Sequence, residues 1–119
     1  MYNVIKIGEK DVPMLSMASV DIYYRNVFHE DPLIAQTKLE EAGDAIWFNM
    51  RMGFIMAEFA ERKSREKMRE LTEDDFVAWM DNFDRLDLMN VLADIQRTYN
   101  GQAVTNSDAK KNTEEPSET

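Results

Sequence analysis

From Ala45 to Ala60 the chain is mostly apolar and free of proline, with Phe48, Met52, Ile55 and Phe59 at i, i+4, i+7 and i+11. That spacing is one stripe of a 3.6-residue period and predicts a helix. Trp47, Phe54 and Met56 fall off the stripe, so the helix is apolar well beyond a single face. Such a helix either runs through the middle of a core or offers a second face to a partner. After Glu61 the pattern turns charged, as Arg62-Lys63-Ser64-Arg65-Glu66-Lys67-Met68-Arg69. Cations there suit the negative end of the helix dipole, and their long stems keep the charges wet. The expectation is a helix over 44–68, anchored inside at its start and emerging into water at its end.

The flanking patterns predict shorter elements. Val4-Ile5-Lys6-Ile7 and Val12-Pro13-Met14-Leu15 read as two extended segments with the turn at Gly8. Pro13 cannot donate to a ladder, which confines its strand to an edge, and an isolated hairpin needs a helix to pack on. Val20, Tyr23, Tyr24, Val27 and Phe28 recur at amphipathic-helix spacing, with Ser19 placed to cap them. Asp31-Pro32 starts a short helix that should stop near Ala42, since Gly43 is a good breaker and Asp44 can cap the next helix. Thr72-Glu73-Asp74-Asp75 has the form of a capping box ahead of Phe76, Trp79, Met80 and Phe83. A turn or kink at Asn82-Phe83-Asp84 precedes a last helix carrying Leu88, Leu92, Ile95 and Tyr99, which stops at Asn100-Gly101. From Gly101 to Thr119 only Ala103, Val104 and Ala109 are apolar, too few to offset the entropy of ordering. The predicted fold is mainly α (α+β): a short N-terminal β-hairpin on a bundle of four to five helices, with one domain over 1–100 and a flexible polar tail over 101–119.

Bulk properties narrow the functional classes. No apolar run approaches the ~20 residues of a membrane span, because Asn49, Arg51 and Glu58 interrupt the richest one. The N-terminus lacks a basic region followed by an apolar one, so no signal peptide is expected. With no cysteine there is no disulfide framework, thiolate metal site or cysteine nucleophile, and a cytoplasmic protein is the simplest fit. A net charge of −9 argues against nucleic-acid binding, which needs a basic surface. The run Arg62–Arg69 is flanked by Glu61, Glu70, Glu73, Asp74 and Asp75, which cancel most of its field within about one Debye length.

Catalytic chemistry finds little footing. His29 is the only histidine, and its neighbours Glu30 and Asp31 do not share a helix face with it. Capping and surface charge account for Asp74, Asp75, Asp81, Asp84 and Asp87. No glycine-rich phosphate loop, nucleophile elbow or zinc spacing occurs, so an enzyme, a cofactor and a metal are not expected. The nine methionines are more informative. Methionine is pliable and polarisable, suited either to filling gaps in a small core or to meeting varied apolar partners. Together with the aromatic residues, the apolar supply exceeds what a body of this size needs, and part of it is expected in a groove for another helix. The candidate partner-binding residues are Trp47, Met50, Phe54, Trp79, Met80 and Phe83.

These features resemble a known family, the tail assembly chaperones of long-tailed, siphovirus-like bacteriophages and prophages. The likeness rests on the Val4-Ile5-Lys6-Ile7-Gly8-Glu9-Lys10 hairpin, the Gly53-Phe54-Ile55-Met56-Ala57 helix, and the Phe76-Val77-Ala78-Trp79-Met80-Asp81-Asn82-Phe83-Asp84 segment. The polar C-terminal tail matches too, so the resemblance spans nearly the whole chain through patterns of residue type. It implies a protein that binds the tape measure protein, keeps it soluble, helps recruit tail tube protein and is absent from the finished particle. The setting would be the cytoplasm of an infected or lysogenic bacterial host. The resemblance also implies a longer form made by programmed frameshift, with which Ala109-Lys110-Lys111-Asn112 is compatible. Self-association is left open. The alternative reading is a small acidic inhibitor that mimics DNA and blocks a host nucleic-acid enzyme, although bases are interspersed with the acids from Arg62 to Arg97.

Overall fold

In the computed structural model, residues 1–37, 42–62 and 71–104 are described. Strands β1 (Tyr2–Ile7) and β2 (Lys10–Leu15) lead into helices α1 (Val20–Phe28), α2 (Pro32–Gln36), α3 (Ala42–Glu61), α4 (Glu73–Met80), α5 (Arg85–Asn90) and α6 (Leu92–Tyr99). The fold is therefore mainly helical with an N-terminal antiparallel hairpin, as the periodicity predicts. The expectations for the charged run 63–70 and for residues 105–119 lie outside the described residues.

The hairpin turns through Gly8 and Glu9. Gly8 sits at φ 64° while Glu9 keeps a negative φ, the sign pattern of a two-residue type II′ turn with glycine first. Such a loop makes Ile7 and Lys10 a hydrogen-bonded pair, and the rungs alternate from there. Val4↔Pro13 falls on a rung without ladder bonds, so the missing N–H of Pro13 costs the hairpin nothing. Met1 and Ser16 close the ladder with reciprocal bonds of 2.9 Å. Asn3, Ile5, Ile7, Val12 and Met14 point inward and are buried. The one polar member is satisfied: Asn3 Nδ2 donates to Thr98 Oγ1 (2.8 Å) and to the Gln102 carbonyl (3.0 Å).

Helix α3 is the axis around which the rest is arranged. Met52, Gly53, Phe54, Ile55, Met56 and Ala57 are consecutive and all buried, so this stretch has no wet face. It packs against β2, α6, α1, α2 and α4. Two boundaries differ from expectation. The helix begins at Ala42, so Gly43 lies within its first turn rather than ending the previous helix, and Asp44 is a first-turn acid rather than the cap. Gly43 and Asp44 are exposed, and it is the middle of the helix, not its start, that is anchored inside. Gly53 lets α6 approach closely, since a Cβ there would stand 3.0 Å from Ile95 Cδ1.

Local signals end most of the other helices. Asp31 caps α2 by accepting from Leu33 N at 2.9 Å, with Pro32 at the first helical position. Thr72 and Asp75 form the predicted capping box: Asp75 N donates to Thr72 Oγ1 (3.3 Å) and Thr72 N donates to Asp75 Oδ2 (2.9 Å). Ser19 does not cap α1 with its side chain. It already has helical dihedrals, and Val20 N and Asp21 N are taken by the carbonyls of Met17 and Ala18. The expected single last helix is two, broken at Val91 (φ −110°, ψ 8°), where no proline or glycine announces the break. Helix α6 ends in a Schellman motif at Gly101 (φ 79°), with Gln102 N bonded to Arg97 O (2.8 Å) and Gly101 N to Thr98 O (3.0 Å). The domain continues past its expected end at residue 100, because Val104 is buried and Gln102 is tied to Asn3.

Two glycines therefore hold the architecture by opposite means, one by its dihedral and one by its size. Gly8→Ala would strain a left-handed backbone and drive a Cβ to 2.5 Å from Asp87 Oδ2. It should lower the urea midpoint by an amount worth about 1–3 kcal/mol, with the slope unchanged. Gly53→Val should cost a similar ~1–3 kcal/mol through overpacking against Ile95, again read by urea unfolding.

Candidate interaction surface

The six residues singled out from the sequence do not form one surface. Met50 and Phe54 are only 4% and 0% exposed, so both belong to the core and neither can meet a partner in this conformation. The reason lies in α3, whose off-stripe positions are covered by other elements of this chain instead of being left for a second molecule. Met14, Met52 and Met56 share that fate, while Met1, Met17 and Met89 are exposed. Trp47 is different. It stands 48% exposed on the N-terminal half of α3, in a helix whose next residue, Phe48, is buried between Tyr24 and Tyr99.

Trp79, Met80 and Phe83 are half-buried against the core at the end of α4. An aromatic series runs outward through them. The Phe54 ring meets Trp79 at 6.0 Å, and Trp79 meets Phe83 at 5.2 Å in an edge-to-face arrangement. Lys10 closes the series from the hairpin, with Nζ 5.5 Å above the Phe83 ring and donating to the Asn82 carbonyl at 2.8 Å. Phe54, Trp79 and Phe83 are thus brought together, with Met80 beside them, while Met50 and Trp47 are elsewhere.

Trp79 also walls a cleft of ≈ 730 Å³ between the end of α3 and α4. Leu71, Ala78 and Trp79 give it apolar area, and Glu58, Glu61, Arg62 and Asp75 give it charge. Arg62 Nη2 lies 2.6 Å from Glu58 Oε1, close as an ion pair though off the angle of a hydrogen bond. Burial pushes the Glu58 carboxyl above its ordinary range. Arg62 opposes that shift, and the nearby acids Glu61 and Asp75 add to it. The cleft is large enough for a few side chains, and among the described residues its lining has three acids and one base.

Sequence reasoning missed three strongly exposed apolar groups on α1 and α2. Leu33 and Ile34 are 60% and 54% exposed, next to each other on α2, and Ile22 on α1 is 50% exposed. The signal was available in part. A helix of five residues has room for one inward pair, and Pro32 and Ala35 take it at i and i+3. The suspected acid–base groups have structural posts: Asp75 in the capping box, Asp84 accepting from Leu86 N at 3.0 Å, Asp87 over the Gly8 turn. His29 is exposed and ends α1 in the left-handed conformation (φ 57°). Among the described residues no group of three metal-ligating side chains occurs, and no helix is long and apolar enough to cross a membrane.

The Glu58 shift predicts a pH effect. Because the folded carboxyl holds its proton more tightly than the unfolded one, its contribution to stability is full below the unfolded value. That contribution is lost as pH rises through the folded value. Glu58→Gln should flatten the decline of urea-unfolding stability over that interval without lowering stability at neutral pH. The chain matches no protein-family model, no curated protein and no solved structure.

Proposed function

We propose that this protein is an assembly chaperone for the tails of long-tailed bacterial viruses. It binds the helical tape measure protein during assembly in the host cytoplasm, keeps its apolar stretches soluble, and helps recruit tail tube subunits. Two things support the reading: the resemblance of the hairpin, central helix and Trp79 segment to that family, and the surface left by the fold. The observation that carries it is the set of large apolar side chains outside an already filled core, Leu33, Ile34 and Trp47 above all.

A client helix with an apolar stripe would bury part of this exposed aliphatic and indole area. Such contacts are individually weak, and many copies along one tape measure would add through effective concentration. Weak single contacts also favour release when tube subunits compete for the same stretch. The cleft beside Trp79 fits the reading as a second contact, its acids suited to lysine or arginine on the client. The DNA-mimic alternative has less support. Lys6–Asp11, Arg51–Glu30, Arg62–Glu58 and Arg97–Asp94 place bases beside acids, which breaks up a phosphate-like array.

The test is co-expression with the tape measure protein encoded in the same tail gene cluster. The client should become soluble and co-purify. The double variant Leu33→Asp, Trp47→Ala should weaken the complex by roughly tenfold or more, as expected for the loss of a hot-spot aromatic, and leave the melting temperature unchanged. A client that stays insoluble and brings nothing down with it would show the reading to be wrong.

A further inference from the structure

Asn100-Gly101 is the pair of residues whose side chain and backbone react together most readily, because glycine offers no side chain to hinder the attack. In that reaction the Gly101 backbone nitrogen loses its proton and bonds to Asn100 Cγ. The Cγ–Nδ2 bond breaks, ammonia leaves, and a five-membered imide remains. Water then opens the imide at either carbonyl, giving aspartate or isoaspartate. Asn100 is exposed, so neither water nor base is kept from it.

The fold withholds the geometry rather than the reagents. Asn100 sits at φ −82°, ψ 5°, which turns the Gly101 nitrogen away from its own Cγ. Gly101 N–H is committed to Thr98 O at 3.0 Å, Gln102 N–H to Arg97 O at 2.8 Å, and Asn100 N–H to Gln96 O at 3.0 Å. The Asn100 Oδ1 accepts from Gln96 Nε2 at 3.4 Å. Beyond the cap, Asn3 Nδ2 holds the Gln102 carbonyl at 3.0 Å, so rotation about the Asn100 Cα–C bond would have to pull the chain off the hairpin. We propose that Asn100-Gly101 is a conformationally gated deamidation site, closed while the α6 cap is docked and reactive when it opens.

The reaction is also a ratchet. Aspartate at this position sets a negative charge at the negative end of α6, and isoaspartate adds a backbone methylene inside the loop closed by Gln102 N–H. Aspartate weakens the re-formed cap, and isoaspartate prevents it from re-forming as it was. The site reads out how often the C-terminal end of the domain leaves the hairpin, and it does so independently of the chaperone reading.

Isoaspartate at residue 100 is followed by peptide mapping of the full chain at mildly alkaline pH, folded in buffer and unfolded in urea. The folded rate should be roughly tenfold or more below the unfolded one, because reaction waits on a local opening. Asn3→Ala, which removes the clamp on Gln102, should bring the folded rate toward the unfolded rate. Equal rates in folded and unfolded wild type would overturn the gate, and an unfolded chain that forms no isoaspartate at residue 100 would overturn the site. Both comparisons use wild type alone, so they stand even if the variant fails to fold.

Discussion

A helix with no wet side has to be enclosed, and the buried stretch Met52–Ala57 imposes that demand on everything else in this chain. Among the described residues the enclosure is built from short pieces, none longer than nine residues outside α3 itself. Isolated helices of that length and an isolated hairpin are marginal in water, so each piece holds its shape only against the others. The apolar contacts that gather them are non-directional. What fixes their register is therefore a set of polar pins. Asn3 to Thr98 and Gln102 joins the hairpin to the end of α6, and Tyr99 donates to Asp21 at 2.7 Å while accepting from Gln36. Tyr24 donates to Glu30 at 2.7 Å, beside Arg51. Burial pushes both phenols well above their ordinary range, which favours the protonated, donating form.

Features that depend on local chemistry were legible before any coordinates. The turn needs the dihedral that Gly8 supplies, the capping box follows from Thr72 and Asp75 three residues apart, and α6 ends where Gly101 can turn left-handed. The stripe in α1 was also readable, because Val20, Tyr24, Val27 and Phe28 repeat one period without interruption. Less legible was whatever depends on which neighbour arrives. Gly43 behaves as a helix residue since α3 gains enough from its buried middle to carry a weak first turn. The break at Val91 has no sequence mark; it separates α5, which packs on β1, from α6, which packs on α3 and β1.

The same limit applies to the candidate surface. Periodicity tells that α3 is apolar on more than one side, but not whether the second side is met from within or from without. Here it is met from within, and Met50 and Phe54 became core. Their loss does not remove the surplus; it relocates it. The core is filled by the side chains of α3 and the inward faces of the hairpin, α1 and α6, which leaves the short helices with more apolar residues than inward positions. Leu33 and Ile34 on α2 and Leu86 on α5 (66% exposed) are outside for that reason.

Single exposed aliphatic residues are ordinary on a soluble protein. Two features here are less so. Leu33 and Ile34 are adjacent in sequence on a helix with its own cap, so their exposure is imposed by a formed element and not by a loose loop. Trp47 leaves about half of its surface exposed beside Phe48, whose ring packs on Tyr24 and Tyr99. Under the proposed function this half-exposed ring has hydrophobic area still to bury against a client. That argument does not depend on the methionines, four of which the core has absorbed. It turns on three side chains held at the surface by helices whose inward positions are already taken.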